Sequence, residues 1–431
     1  MSTVMSHSNA VSVSRRSFLN KARIAGAAAS AFTIIRPELV RGAGKEMVKV
    51  GLVGCGGRGT QAIVDHLLAT ENTQIVGMAD IFEDALEGSL RKLRANPRLR
   101  DKQERLKIEP DKRFVGFDAF QKLLKSDIDV VMLATPPGYR PEHFEAAINA
   151  KKHVFCEKPF GTDPTGVRRF MAAAKKSEEM KLTVVSGAQR RFQKTYVEAV
   201  DRMKSGDMGE ILATYAYWVG SPVIQQRDGR KPNWGDMEWQ HRNWYSYVWI
   251  CGDQIVEQHL HNLDVVNWIM GTHPVKVVAT GGTTWRPKNE TYGNIYDHIS
   301  ADFEYANGVR LSSYCRQFPR GSAQNISERV VLSKGKFSST ELPRTEVNPY
   351  EAEHTALMKS IRQEGPYINH AMPVAESTLT CIMARESAYS GLAITWDQIM
   401  ASKQDLQPKA FGYNEKMEIP PLPVPGEYRF I

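Results

Sequence analysis

The feature that most narrows what this chain can fold into is a run of glycines at the end of an apolar stretch. Val48 to Val53 is short and rich in β-branched residues, and Gly54-Cys55-Gly56-Gly57-Arg58-Gly59 follows at once, giving G-x-G-x-x-G at Gly54, Gly56 and Gly59. Glycines so spaced allow a tight strand-to-helix turn, close approach of a pyrophosphate to the backbone, and tight packing of the helix on the strand. The helix that starts there presents unpaired N–H groups and its positive dipole end to phosphate, which adds Gly57 and Arg58 to the candidate set. Asp80 closes the next β-rich run, 26 residues after Gly54, where a carboxylate binds ribose hydroxyls and repels a 2′-phosphate. The pattern predicts a dinucleotide site that takes NAD rather than NADP.

Strand-like runs at 48–53, 74–79, 130–134, 153–156 and 183–186 alternate with stretches long enough for helices, which is the sequence form of a doubly wound parallel sheet. From Gln189 onward the runs are longer and alternating, at 211–219, 275–281, 298–305 and 309–315, with Ala306-Asn307-Gly308 as a hairpin turn between the last two. The expected fold class is α/β, with a nucleotide-binding domain over residues 45–188 and a second α/β domain over 189–431 built on an open, mainly antiparallel sheet. A chain of 431 residues exceeds what one core usually serves. Helices are expected near 253–270 and 349–362, and the proline-rich end as a surface tail.

Residues 1–44 read as an address. Ser14-Arg15-Arg16-Ser17-Phe18-Leu19 followed by an alanine-rich run to Ile35 is the pattern of a twin-arginine (Tat) export signal, which predicts a periplasmic protein. The apolar run is too short to stay in a bilayer, and no later segment is expected to span one. This leader carries six basic groups against Glu38, so +5 of the net charge of +8 lies there and +3 remains. So small an excess gives no argument for nucleic acid. The five cysteines are scattered without metal-ligand or disulfide spacing, and no metal is expected.

Phe155-Cys156-Glu157-Lys158-Pro159, together with the glycine turn and Ala134-Thr135-Pro136, resembles the Gfo/Idh/MocA family, and the resemblance covers essentially everything after the leader. It implies a Rossmann domain followed by an α/β domain whose open sheet face makes homodimer or homotetramer contacts, and a substrate that is a sugar, glycoside, cyclitol or related polyol. It places Lys158 near the nicotinamide and the reacting hydroxyl, and Glu157, Thr135, Pro136, His143 and Gln189 along the cofactor. Gln189-Arg190-Arg191-Phe192 resembles the stretch leading into the substrate site, which makes Arg190 a substrate contact. The family commonly shows D-x-x-x-H-x-x-D in its second helix element. Here Glu257 stands in the first position, ahead of His261 and Asp264, keeping the charge and lengthening the reach.

Oxidising a secondary alcohol needs a base within hydrogen-bond reach of the hydroxyl. On a regular helix Glu257, His261 and Asp264 share one face. His261 is the best candidate for the proton acceptor, Glu257 would orient it or raise its basicity, and Lys158 would polarise the alkoxide, with the order in which Lys158 and His261 take the proton left open. His259 points away around the helix. The dense aromatic run Trp234, Trp239, Trp244, Tyr245, Tyr247 and Trp249 suits sugar rings, with Trp244 and Tyr245 as substrate contacts, and 294–298 is a further candidate segment. The leading expectation is an NAD(H)-dependent oxidoreductase of a sugar, glycoside or cyclitol with tightly held cofactor. The alternatives are an NAD-dependent glycosidase working by transient C3 oxidation and elimination, and a non-catalytic cofactor-binding protein.

Overall fold

The computed structural model describes residues 46–222 and 229–431; the expected export signal over 1–44 lies outside the described residues. The first domain alternates strand and helix: β1 (Val48–Val53), α1 (Gly57–Ala69), β2 (Thr73–Asp80), α2 (Glu83–Arg94), β3 (Arg113–Val115), α3 (Ala119–Leu124), β4 (Val130–Leu133), α4 (Arg140–Asn149), β5 (His153–Cys156), α5 (Pro164–Glu179) and β6 (Val184–Ser186). All six strands are parallel, in the order β3-β2-β1-β4-β5-β6. The order reverses between β1 and β4, so their carboxyl ends diverge and leave a crevice in which ligands bind. The runs are apolar on both faces because helices cover both; Val50, Leu52, Val130 and Met132 are fully buried, each contributing about 1.5–3 kcal/mol. Strand β3 has no counterpart in the sequence reading. It is a three-residue edge strand carrying Arg113, too short and polar to show a period.

The second domain contains α6 (Lys194–Lys204), β7 (Ile211–Gly220), α7 (Asp236–Arg242), α8 (Val248–Cys251), a π turn (Ile255–His259) running into α9 (Leu260–Met270), β8 (Lys276–Gly282), β9 (His298–Glu304), β10 (Arg310–Gln317), β11 (Asn325–Leu332), β12 (Gly335–Ser338), α10 (Pro349–Ile361), α11 (Ala371–Ser390), β13 (Ile394–Thr395) and α12 (Trp396–Ala401). Its seven strands run β12-β11-β7-β10-β9-β8-β13, antiparallel except for β7 with β10. The expected open, mainly antiparallel sheet is therefore present. The β9–β10 turn is where 306–308 placed it, with Gly308 at φ +82°.

Two features lay beyond sequence periodicity. Helix α10 returns to the first domain: Leu357, Met358 and Ile361 join the core cluster of Val64, Leu67 and Ile75, held at its start by Asn348 capping Tyr350 N. Just beyond it the chain lies against β6, where Val184 N donates to Ile368 O and His370 N to Val184 O. Helix α11 is buried on nearly every side between α5, α9 and β8. A helix packed all round has no polar stripe to betray it.

Candidate active site

The crevice opens into a cleft of about 630 Å³ at the carboxyl ends of β1, β2, β4 and β5, roofed by residues from the second domain. Its floor is the glycine turn. Gly54 sits at φ +95°, and a Cβ there would lie 2.6 Å from Thr135 N; one on Gly59 would lie 1.9 Å from Gly54 O. These two glycines serve packing, and Gly59 does not line the cleft. Gly56 and Gly57 do, and a Cβ on either would meet nothing within 4 Å. Helix α1 starts here without a side-chain cap or an acidic residue in its first turn, so its first N–H groups are left for an anion. This bare cradle fits a dinucleotide pyrophosphate.

Asp80 lies at the rim, accepting from Cys55 N (2.6 Å) and Phe82 N (2.8 Å). Burial raises its pKa, opposed by those amides. Thr135 and Pro136 line the wall after β4. His143 is there too, stacked on Phe120 at 4.1 Å; burial, reinforced by Arg140, lowers its pKa to about 3, so the ring is neutral. Gln189 also lines the cleft, and its Oε1 is buried without a partner among the described residues, an acceptor left for a ligand.

Arg58 reaches across to Glu157, Asp65 (3.2 Å) and Glu353 (3.1 Å) and lies 4.7 Å from the Tyr350 ring centroid. Glu157 is in turn seated by Gly187, where a Cβ would fall 2.4 Å from its carboxylate. Tyr350 of α10 lines the cleft but stands almost three hundred residues from Arg58 in the chain, so no local signal pointed to it.

Lys158, 8% exposed, donates to the Glu257 carbonyl and stands 3.3 Å from both carboxylate oxygens. The π turn makes this possible: it breaks the regular amide register and follows two left-handed residues, Gly252 (φ +82°) and Asp253 (φ +80°). Glu257 therefore offers carbonyl and carboxylate to Lys158, and its other contact is Gln258 Nε2 at 2.7 Å. The expectation that Glu257 orients His261 gives way to this pairing. Burial raises the Glu257 pKa, against the lowering pull of Lys158 and Arg140. His261 stacks on Trp218 with centroids 5.9 Å apart, and among the described residues its ring nitrogens have no hydrogen-bond partner. Burial, with Lys158 and Arg190 adding, holds its pKa well below the usual value. The result is a neutral imidazole facing the cleft that holds Lys158.

Three other sequence candidates lie elsewhere. Arg190 pairs with the buried Glu328 and does not line the cleft. Tyr245 is sealed in a small core with Cys251 and Ile295, accepting from Gln317 Nε2 at 2.7 Å, while Trp244 alone of the pair reaches the cleft. The two residues sit in a short 3-10 turn, which turns successive side chains by about 120° and so separates them. Asp264 makes a two-bond ion pair with Arg191 at 2.8 Å and accepts from Ser377 Oγ; the π turn and burial take it out of the cleft. His259 donates or accepts with Ser313 at 2.8 Å in the core, as its position on the helix implied. Of 294–298, Asp297 is spent on the amides of Thr284 and Trp285. Sequence reasoning missed Arg140 and Tyr139, which line the cleft at the entry to α4, where the composition carries no chemical signature.

Comparison with known sequences decides the lineage. Residues 48–185 match the oxidoreductase family, NAD-binding Rossmann fold, and residues 196–338 match the GFO/IDH/MocA C-terminal domain. The chain belongs to the Gfo/Idh/MocA family. Family relatives include a myo-inositol 2-dehydrogenase of Thermotoga maritima, 24% identical over 54% of this chain and 58% of that protein. Another is an inositol 2-dehydrogenase of Rhizobium meliloti, 26% identical over 50% of this chain and 58% of the relative. The chain thus spans a little over half the length of these curated relatives. The same fold is seen in scyllo-inositol dehydrogenase from Lactobacillus casei with bound NAD(H) and scyllo-inositol, at TM-score 0.62 and 18% identity, over 81% of this chain and 99% of that one. It recurs in aldose-aldose oxidoreductase from Caulobacter crescentus, at TM-score 0.59 and 17% identity, over 81% and 100%.

Proposed function

We propose that this Gfo/Idh/MocA protein is an NAD(H)-dependent oxidoreductase acting on a secondary hydroxyl of a sugar or cyclitol. The observation that carries the reading is His261, whose ring nitrogens have no hydrogen-bond partner among the described residues, lining the same cleft as Lys158 next to a bare glycine cradle. NAD, held by the Gly56–Gly57 turn, the start of α1 and Asp80, supplies the hydride acceptor when bound. His261 takes the hydroxyl proton, which its lowered pKa permits at neutral pH because the ring is unprotonated. Lys158, fixed by Glu257, donates to the oxygen and stabilises the alkoxide charge that develops there. Trp244 offers an apolar face to the ring.

The twin-arginine pattern supports export, and a periplasmic enzyme without a free nicotinamide pool would keep its NAD and recycle it on a second polyol. The name of the Caulobacter relative describes a reaction between two aldoses. Tyr314 and Val278, about half exposed on the second sheet, support a homodimer or homotetramer through that face. The relatives named above are dehydrogenases and an oxidoreductase, and none is named a glycosidase, so the elimination route is not carried forward. The test is to denature protein purified from the periplasm, identify released nucleotide by mass spectrometry, and repeat after incubation with a panel of sugars and cyclitols. NAD converted to NADH by one of them supports the reading; absence of any nucleotide overturns it.

A further inference from the structure

Arg140 opens α4 and lines the cleft, yet it is 4% exposed. Its Nη1 donates to the Pro159 carbonyl at 2.7 Å, one residue beyond Lys158, and its Nε is buried without a partner among the described residues. A guanidinium placed so deep is costly unless carboxylates offset it, and those whose charge it feels are Glu157 and Glu257. Glu157 already binds Arg58. Glu257 is the carboxylate that grips Lys158.

From these contacts we propose that Arg140 is a positioning residue of the reaction centre: it pins the turn that carries Lys158 and adds a buried positive charge to the site, so that Glu257 holds Lys158 in place. Among the described residues the groups that act on or feel Glu257 are Lys158 and Glu157 from the turn after β5, Arg140 from α4, and Tyr245 and Cys251 from the segment before the π turn, while His261 lines the same cleft. Lys158 and Arg140 are the cations among them that favour the carboxylate, Glu157 opposes it, and burial favours the neutral acid. Removing the Arg140 charge raises the pH at which Glu257 takes a proton. A protonated Glu257 loses its charge attraction for the Lys158 ammonium, so the lysine loosens as pH falls. This role rests on the function proposed above.

The test uses the full-length protein with its bound nucleotide and two variants, Arg140→Met and Arg140→Lys. The first readout needs no turnover: the rate at which trinitrobenzenesulfonate labels Lys158, followed by peptide mass spectrometry from pH 6 to 9. Arg140→Met is expected to label several-fold faster than wild type toward the acid end, and Arg140→Lys to stay near wild type. The second readout is the pH profile of NADH formation with any polyol that wild type oxidises. Arg140→Met is expected to lose about tenfold to a hundredfold in kcat and to move the acid limb up by about one pH unit, with nucleotide content unchanged. Arg140→Lys keeps the limb. Equal labelling and an unmoved limb in Arg140→Met overturn the proposal. Should Arg140→Met not fold, Arg140→Gln takes its place with the same two outcomes, and wild-type labelling with a wild-type limb in Glu257→Gln overturns the proposal. Failure of wild type to oxidise any polyol would strike the functional reading and leave the labelling result standing on its own.

Discussion

The two walls of the cleft are made in different ways. The nucleotide wall is mostly backbone: two packing glycines, two bare ones, and the uncapped start of α1, all within six residues of sequence. The opposite wall is mostly side chains, Lys158 held by Glu257, His261 against Trp218, and Trp244, which come from β5, the π turn, α9 and the segment before α8. A backbone site tolerates little substitution and announces itself in sequence. A side-chain site is assembled by the fold and can change its substrate while the first wall stays the same.

The largest effect should come from the backbone wall. Gly59→Ala drives a methyl to 1.9 Å from Gly54 O, so the turn must open; nucleotide content after purification should fall below a tenth of wild type, and full occupancy would show that the cradle yields. Next, Lys158→Met removes the donor to the developing alkoxide and should lower kcat by about 10²- to 10⁴-fold while nucleotide stays bound, separating the walls by one measurement. His261→Asn should cost about 10²-fold. Its wild-type counterpart gives a sign test: a base whose pKa is lowered remains unprotonated as pH falls through 6.5, so kcat/KM should hold from pH 7.5 to 6 rather than drop. A limb centred near 6.5 would assign the proton to an ordinary, solvated histidine. Asp80→Ala should narrow the preference for NAD over NADP by about tenfold, read from the two dissociation constants. The smallest effect belongs to Arg190→Lys, under about twofold in kcat and KM, since Arg190 serves Glu328 away from the cleft; a large rise in KM would return it to the substrate site.

The same contrast explains what could be read from sequence. Gly54, Gly56, Gly59 and Asp80 are spaced by local geometry, so the first sheet and its ligand edge were legible before any contact was known. The E-K-P segment and His261 were legible through resemblance. Glu257 was found but given the wrong neighbour, because a regular helix was assumed where a π turn occurs. Tyr245 belongs to the dense aromatic run and Arg190 to the segment that resembles the family's substrate stretch, but such short turns point successive residues in different directions, and only Trp244 and Gln189 of each pair reach the cleft. Tyr350, Arg140 and the buried α11 needed tertiary packing to be noticed. Their sequences carry no periodicity that distinguishes a cleft from a core.

The return of α10 to the first domain also bears on how the protein is made. The core under α1 includes Leu357, Met358 and Ile361, so the nucleotide domain is not finished when the ribosome passes Gly187. At synthesis rates of about 5–20 residues per second, the nascent domain waits roughly ten to thirty-five seconds for its last core helix. During that interval one flank of α1 and the edge of β6 stand open. Closure of this core is thereby tied to synthesis of the second domain, and a truncated product that stops in the second sheet leaves the α1 flank uncovered.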